Sequence, residues 1–563
     1  MGLSGPPGNA RDAARFLGVG WLTLATLVVW AMPLALVVTV VPYYHWDELA
    51  YGEWSRLIAA SGGFRFPSIT AQTYQRPLFY VVQGWLWRLL GEHEILGRLL
   101  AVGFLAVLIV CVYRLGGVAG GPGTNRERGA LAVLVLLAVT EVAAAAGATL
   151  TDIPVAALVA STATLLWTSS GTWASNLGVA IAAAAAVLVK PNALPALAGL
   201  AAAHAVGPWR GSHARLRQLG WLGLGTMAGL AYSVWMAATL HQSVPEFLQS
   251  AIGGYYADLG RRVRVSHVVN FEWLGPWLAL PLLVSLLNAA TRATDRTARL
   301  LAWLVLPVAV AALWAGGWFA PPGGVTADTA AALGKRWIPA LFFAVVVMVV
   351  SRETAPRLFV LRHVVWAAPA FASWVIYAPY EMRFLSPIWA PLVLLTTVPI
   401  AHGLFGWLRV APRVGQLMMV VVAVLAASNA RMIEGLDVRT SLAIARTAIV
   451  FRADPARMRG VVSPDVEPVL EALRPRLRPN DRIFSPEGRL RYYFPGRVAQ
   501  AYPTRCEELV GYRFFVLPLI PAVRDHFIYI GASPEPAFWG ACRRPRLDRI
   551  PAEGTAVVFE ITG

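Results

Sequence analysis

Charged side chains make up only 14% of the 563 residues, where an ordinary soluble domain carries about a quarter. With 57% of the residues hydrophobic, that shortage excludes a soluble enzyme, a secreted domain and a disordered chain. The apolar blocks are runs of Ala, Val, Leu and Trp without period-two alternation, so a membrane barrel is excluded and the spanning structure is helical. Cysteine is limited to three residues, with no Cys-x-x-Cys and no His-x-x-x-His, which leaves haem and structural zinc without support. The glycine-rich stretch 116–123 lacks the Lys-Ser/Thr of a phosphate-binding loop and follows no strand; it reads as a flexible hinge, and ATP-driven transport has no basis. There is no solenoid-period repeat and no low-complexity segment.

What remains is a polytopic membrane protein. Apolar runs fall at 16–41, 95–113, 129–146, 154–167, 177–189, 193–206, 219–240, 273–287, 300–319, 337–350, 364–377, 388–404 and 414–427. They predict about thirteen helices, several short for a bilayer. The first follows Arg11 and Arg15 without a small-residue cleavage site, so it reads as a retained helix. Starting from an inner terminus and alternating sides puts Arg114, Arg126 and Arg128 inside, then Arg210, Arg215 and Arg217, then Arg292, Arg296 and Arg299, then Arg352, Arg357 and Arg362, then Arg409 and Arg413. Every basic hinge then satisfies the positive-inside rule. The excess of 48 Lys and Arg over 31 Asp and Glu is thereby a matter of sidedness and anionic lipid, with no nucleic-acid partner. This count requires residues 77–90, interrupted by Gln83, Gly84 and Arg88, to lie in the outer interface. Glu141 apart, the helices offer an ion-coupled transporter little for its pathway.

The expected domains are a transmembrane catalytic domain over 1–430, with a first outer loop at 42–92, and an extracytoplasmic domain over 431–563. In the latter, Ser463 and Pro464 open an amphipathic helix that Pro475 ends, and runs at 512–517, 527–530 and 556–561 read as strands of a small α/β or α+β unit. Cys111 lies in an apolar block as a buried hydrophobe; Cys506 and Cys542 share the outer tail and are expected to form a disulfide there.

Polar residues gather on the predicted outer face. The first loop opens Tyr43-Tyr44-His45-Trp46-Asp47-Glu48, holds Tyr51, Glu53, Arg56 and Arg65, and continues through Tyr74-Gln75-Arg76-Pro77. Paired carboxylates at the lip of a span are expensive to desolvate and are functional more often than carboxylates in open solvent. Thr151-Asp152-Ile153-Pro154, Lys190-Pro191-Asn192 and Tyr380-Glu381-Met382-Arg383 occupy other outer mouths. Each has a plain alternative: Asp152 as a helix N-cap, Lys190 snorkelling to the interface, Glu381 with Arg383 as a surface pair.

Asp47-Glu48 with Tyr51, then Arg76-Pro77-Leu78-Phe79-Tyr80, then Gly91-Glu92-His93-Glu94 and Arg98, resembles the amino-terminal signature of GT-C glycosyltransferases. It is closest to the branch of lipid A aminoarabinose transferases and, more distantly, protein O-mannosyltransferases. Leu188-Val189-Lys190-Pro191 and Glu381-Met382-Arg383-Phe384-Leu385-Ser386-Pro387 add to it, while Pro77-Leu78 stands where the family often shows two prolines. The resemblance implies a sugar transferred from a polyprenyl-phosphate donor to an extracytoplasmic glycan, lipid or protein, in the inner membrane of a bacterium. Such chemistry needs a base for the acceptor hydroxyl and cations for the departing phosphate. Asp47 is the leading base with Asp152 its rival, and Glu48 orients a cation or the acceptor. Arg76, Lys190 and Arg383 receive the donor phosphate, and His45, Tyr51, Tyr380 and Glu381 line the substrate. No cofactor is expected and a divalent metal is not indicated, since a phosphate monoester leaves without one. The alternatives are a flippase holding the same lipid-linked head group, or a scaffold.

Overall fold

The computed structural model describes residues within 10–239, 357–428 and 466–562, with a few positions around 296–303. The described residues are mostly helical with one small sheet near the carboxy terminus. The chain divides into two compact units, residues 1–34, 68–79 and 100–438 in one, and 35–67, 80–99 and 439–563 in the other. The expected boundary at 430 kept the first outer loop with the helices, whereas this division groups most of that loop with the tail.

The helices before the gap are α1 (Ala10–Val40), α2 (Trp46–Ser61), α3 (Pro77–Leu90), α4 (Glu94–Gly117), α5 (Asn125–Leu137), α6 (Asp152–Thr168), α7 (Trp173–Val189), α8 (Ala193–Ala205) and α9 (Ser212–Thr239). After it come α10 (Arg357–Tyr377), a 3-10 turn at Met382–Ile388, α11 (Trp389–Val410) and α12 (Pro412–Ser428). Among the described residues, three helical stretches are long and apolar enough to cross a membrane by themselves: Gly18–Thr39, Glu94–Gly117 and Leu385–Phe405. Shorter apolar helices occupy Asp152–Thr168, Trp173–Val189, Ala193–Ala205, Leu358–Ser373 and Gly415–Val424. The runs expected at 273–287, 300–319 and 337–350 lie almost wholly outside the described residues, as does Glu141.

The run expected at 129–146 starts earlier and breaks after Leu137, with helical residues again at Val142, Ala145 and Ala146. Its helix starts at Asn125 because Thr124 and Glu127 form a reciprocal capping box ahead of the apolar residues. It closes at Leu137, where the Ala138 N–H is shared among several carbonyls of a tightening last turn. Residues 77–90 form α3, the short helix that the sequence pattern predicts.

Apolar stripes facing outward reveal the solvent. On α1, Trp21, Leu24, Val28 and Met32 fall on one exposed face, and on α12 Leu417, Val420 and Val424 do the same. In water such faces would forgo the ~25 cal/mol per Å² that burial supplies, whereas lipid chains remove them from water. Helix-on-helix contact depends instead on small residues that let backbones approach. A Cβ on Gly199 of α8 would fall 2.2 Å from the Trp366 carbonyl oxygen of α10, and one on Gly225 of α9 equally close to that of Ala180 on α7.

The tail folds around a sheet of order β2-β1-β3-β5-β4. Its strands are β1 (Ile483–Phe484), β2 (Val498–Ala499), β3 (Phe514–Val516), β4 (Arg546–Ile550) and β5 (Val558–Thr562). β1 pairs in parallel with β2 and β3, while β5 is antiparallel to β3 and β4. Alternation divides the side chains between two cores. Ile483, Phe514, Val516 and Val558 pack on one face against α13 (Glu467–Leu473), and Phe484, Phe515, Phe559 and Trp539 fill the other. The register places Phe515 opposite Phe559, with rings stacked 5.9 Å apart. Cys506 and Cys542 are disulfide-bonded on the second face. α13 begins later than the Ser463–Pro464 start that the sequence predicts, because Pro468 occupies its first turn; Ser463 lies outside the described residues. The strand expected at 527–530 also lies outside them, and β1, β2 and β4 escaped prediction because two of them are two residues long and β4 is highly charged.

Candidate active site

The described candidate residues fall into two groups, one in each unit. The first surrounds α2, whose opening turn carries Asp47 and Glu48 where the helix N-terminus favours negative charge. Neighbours on a helix point about 100° apart, and the two acids divide accordingly. Glu48 is fully buried and its Oε1 accepts from Arg98 Nε at 3.3 Å; Asp47 is half-buried. Arg98, itself 1% exposed, also donates to the Val37 carbonyl at 2.6 Å and lies 5.3 Å from the centroid of the Tyr43 ring. Glu48 therefore serves a cation, and a buried pair of this kind is destabilised severely when one member is removed.

Tyr43 is pinned from several directions. Its N–H donates to Glu94 Oε2 at 2.7 Å, its hydroxyl donates to the Glu94 carbonyl at 3.1 Å, and that hydroxyl accepts from Gln83 Nε2 at 2.9 Å. Tyr51 is buried with its ring 5.0 Å from that of Tyr80 and 5.8 Å from that of Trp54. It acts here as aromatic packing between α2 and α3. Arg56 forks onto Glu92 at 2.5 and 2.9 Å, nearer the surface.

The sequence alone missed the tail's part in this group. The short helix α14 (Leu490–Tyr493) brings three consecutive side chains to the lip. Arg491 pairs with Glu53 at 2.8 Å, the Tyr492 hydroxyl donates to Glu94 Oε1 at 2.7 Å, and the Tyr493 hydroxyl donates to the Tyr43 carbonyl at 3.3 Å. Arg56 closes the arrangement, donating to the Tyr492 carbonyl at 3.0 Å with its guanidinium 4.7 Å from that ring's centroid. Gly52 makes room: a Cβ there would stand 2.7 Å from the Tyr492 ring. Burial pushes the Glu53 carboxyl up, against the opposing charge and hydrogen bond of Arg491. Burial also pushes the Tyr492 phenol up, reinforced by the charge of Glu94, so it stays a hydrogen-bond donor. The one available hint was the string Arg491-Tyr492-Tyr493, a cation followed by two phenols.

The second group lies among the helices. Asp152 opens α6 and Lys190 ends α7, each where the local helix dipole favours its charge. Lys190 Nζ donates to Asp152 Oδ1 at 2.5 Å, and the same oxygen accepts from Ser386 Oγ in the 3-10 turn at 3.2 Å. Both charges are buried, Asp152 at 1% and Lys190 at 3% exposure. This overturns both plain alternatives. Asp152 is not the N-cap, a position taken by Thr151, whose side chain makes no capping bond, and Lys190 does not snorkel. The Thr151 hydroxyl is buried with no hydrogen-bond partner among the described residues. With two donors on one oxygen, Asp152 is built to hold Lys190 in place.

His45, Arg76, Tyr380 and Glu381 lie outside the described residues; Arg383 belongs to the 3-10 turn, but its side chain lies outside them. Among the described residues no group of three or more His, Cys, Asp or Glu side chains gathers at a spacing suited to a metal ion.

No family model matches the chain, and no curated protein does. Among solved structures it is similar to ArnT from Cupriavidus metallidurans in the apo state, with 16% identity, 96% of this chain and 97% of that chain covered, and a TM-score of 0.45. It is similar also to ArnT from the same organism bound to undecaprenyl phosphate, with 14% identity, the same coverage and a TM-score of 0.48.

Proposed function

We propose that this chain is an integral membrane glycosyltransferase of the GT-C type, moving a sugar from a polyprenyl-phosphate donor to an acceptor outside the membrane. The observation that carries this reading is the bracing on either side of Asp47: Glu94 fixes the Tyr43 N–H, and Arg98 fixes Glu48, the residue next to Asp47 on α2. A carboxylate held on so rigid a mount suits general-base work, where geometry decides as much as basicity. Asp47 takes the proton of the acceptor hydroxyl, whose oxygen attacks the anomeric carbon. The C–O bond to phosphate breaks, and its electron pair leaves with the lipid phosphate. Lys190, with Arg76 and Arg383, receives that phosphate, the arginines as planar forks and the lysine as a point charge. His45, Tyr380 and Glu381 complete the sugar or acceptor pocket. Glu48 and Asp152 act through the cations they hold, and Tyr51 through packing.

The lipid donor fits a protein whose helices turn apolar faces outward, and the disulfide of the tail suits an oxidising compartment on the outer side of a bacterial inner membrane. The test is turnover of a labelled polyprenyl-phosphate sugar by purified protein in detergent. Consumption of the donor, lost in Asp47→Asn, supports transfer. Movement of intact donor across sealed vesicles without consumption would instead identify a flippase.

A further inference from the structure

We infer that Tyr492, in the carboxy-terminal domain, is a positioning residue for Asp47: its phenol locks Glu94, and Glu94 holds the backbone N–H of Tyr43, three residues before the helix that carries the acid. The inference rests on the glycosyl-transfer reading for its catalytic consequence, and on geometry alone for the lock itself.

Glu94 uses its two carboxylate oxygens for different partners. Oε1 accepts the Tyr492 hydroxyl at 2.7 Å, and Oε2 accepts the Tyr43 N–H at 2.7 Å. A carboxylate bound on one oxygen swings about its own torsions; bound on both, it is fixed. Tyr43 in turn precedes α2, whose first turn bears Asp47; the Arg98 guanidinium lies 5.3 Å and the Tyr492 ring centroid 5.9 Å from the centroid of its ring. The remaining contacts of α14 deliver the phenol to this place. Arg491 holds Glu53 one turn along α2, Arg56 holds the Tyr492 carbonyl, and the absence of a side chain on Gly52 admits the ring. The outer domain is thus a working part of the acid lip, joined to it through a residue that touches neither donor nor acceptor.

The experiment compares wild type, Tyr492→Phe and, as a tail control, Asp548→Asn in the full-length protein. Tyr492→Phe keeps the ring and removes one hydroxyl. Amide exchange over residues 42–48 should quicken by about 10-fold in Tyr492→Phe and stay unchanged in Asp548→Asn. The donor turnover kcat should fall by about 10-fold with the donor KM within about twofold, the split expected when an acid is misplaced but the phosphate site is intact. Exchange over 42–48 unaltered by Tyr492→Phe overturns the lock, and quickened exchange with normal kcat overturns its catalytic role. If the wild type consumes no lipid-phosphate sugar while the exchange shift occurs, the lock stands and the glycosyl-transfer reading fails.

Discussion

Two buried ion pairs of equal charge are built for different ends. Glu48–Arg98 is a brace: the guanidinium also serves a backbone carbonyl and faces an aromatic ring, so its direction is fixed by three independent partners. Asp152–Lys190 is a joint between two helix ends, where a single carboxylate oxygen gathers an ammonium and a hydroxyl beside a threonine without a partner among the described residues. An ammonium is a compact point charge on a flexible stem, whereas a guanidinium is a planar fork whose direction matters. The difference is one of cation chemistry: an ammonium presents a point charge to its acid, where a guanidinium presents a planar fork shared among several partners.

The comparison breaks most visibly at Asp47, the acid that the brace presents. Asp47→Asn should reduce kcat by about 10²- to 10⁴-fold while leaving donor affinity nearly intact. Single-turnover and binding assays separate the two quantities, and a variant retaining over about a tenth of the wild-type rate would transfer the role of base elsewhere. Next in size, Arg98→Ala should destabilise the protein by about 3–5 kcal/mol by stranding the Glu48 carboxylate, while Arg98→Met combined with Glu48→Leu should recover most of that loss. Thermal melts in detergent read both, and a harmless Arg98→Ala would sink the idea of a brace.

The joint should respond to ligand where the brace does not. A polyprenyl phosphate at about 100 times its Kd should stabilise the wild type by roughly 2.7 kcal/mol, and Lys190→Ala should lose most of that gain because the phosphate loses its point charge. Glu48→Gln should still be stabilised by the lipid. Equal responses in the Lys190 and Glu48 variants would erase the distinction drawn between the pairs.

Smaller effects are expected from pH. Burial raises the Glu53 carboxyl above its ordinary 4.5, with Arg491 pulling the other way. Its contribution is therefore fully present below pH 4.5 and lost as pH rises through the higher folded value. Acidifying from neutrality should bring a stabilising contribution in the wild type that Glu53→Gln lacks, read as a flatter dependence of melting temperature on pH. Smallest is Asp548, exposed in the tail, whose carboxyl the Thr562 hydroxyl, and then Arg546, hold below the usual 3.8. Its contribution is present above that value and lost as pH falls through the lower folded one, so Asp548→Asn should match the wild type at neutral pH and differ only in acid.

Composition and local pattern determined the solvent and the class: scarce charge and long apolar runs admit only membrane helices. The stretch that forms α2 read only as the start of an outer loop, whereas sequence-local chemistry also placed α3 and Lys190 before a proline that stops its helix. These were legible because helix periodicity, capping and proline act over a few residues. The partners were not. Glu94 meets Tyr492 across 398 positions, Glu53 meets Arg491 across 438, and Asp152 meets Ser386 across 234. No periodicity spans such distances, and a tyrosine in a short polar turn carries no local mark of the carboxylate it will hold. Which acid is braced, which is occupied by a lysine, and that the tail reaches the lip at all are settled by packing, since a buried charge takes whatever partner the fold brings within hydrogen-bond reach.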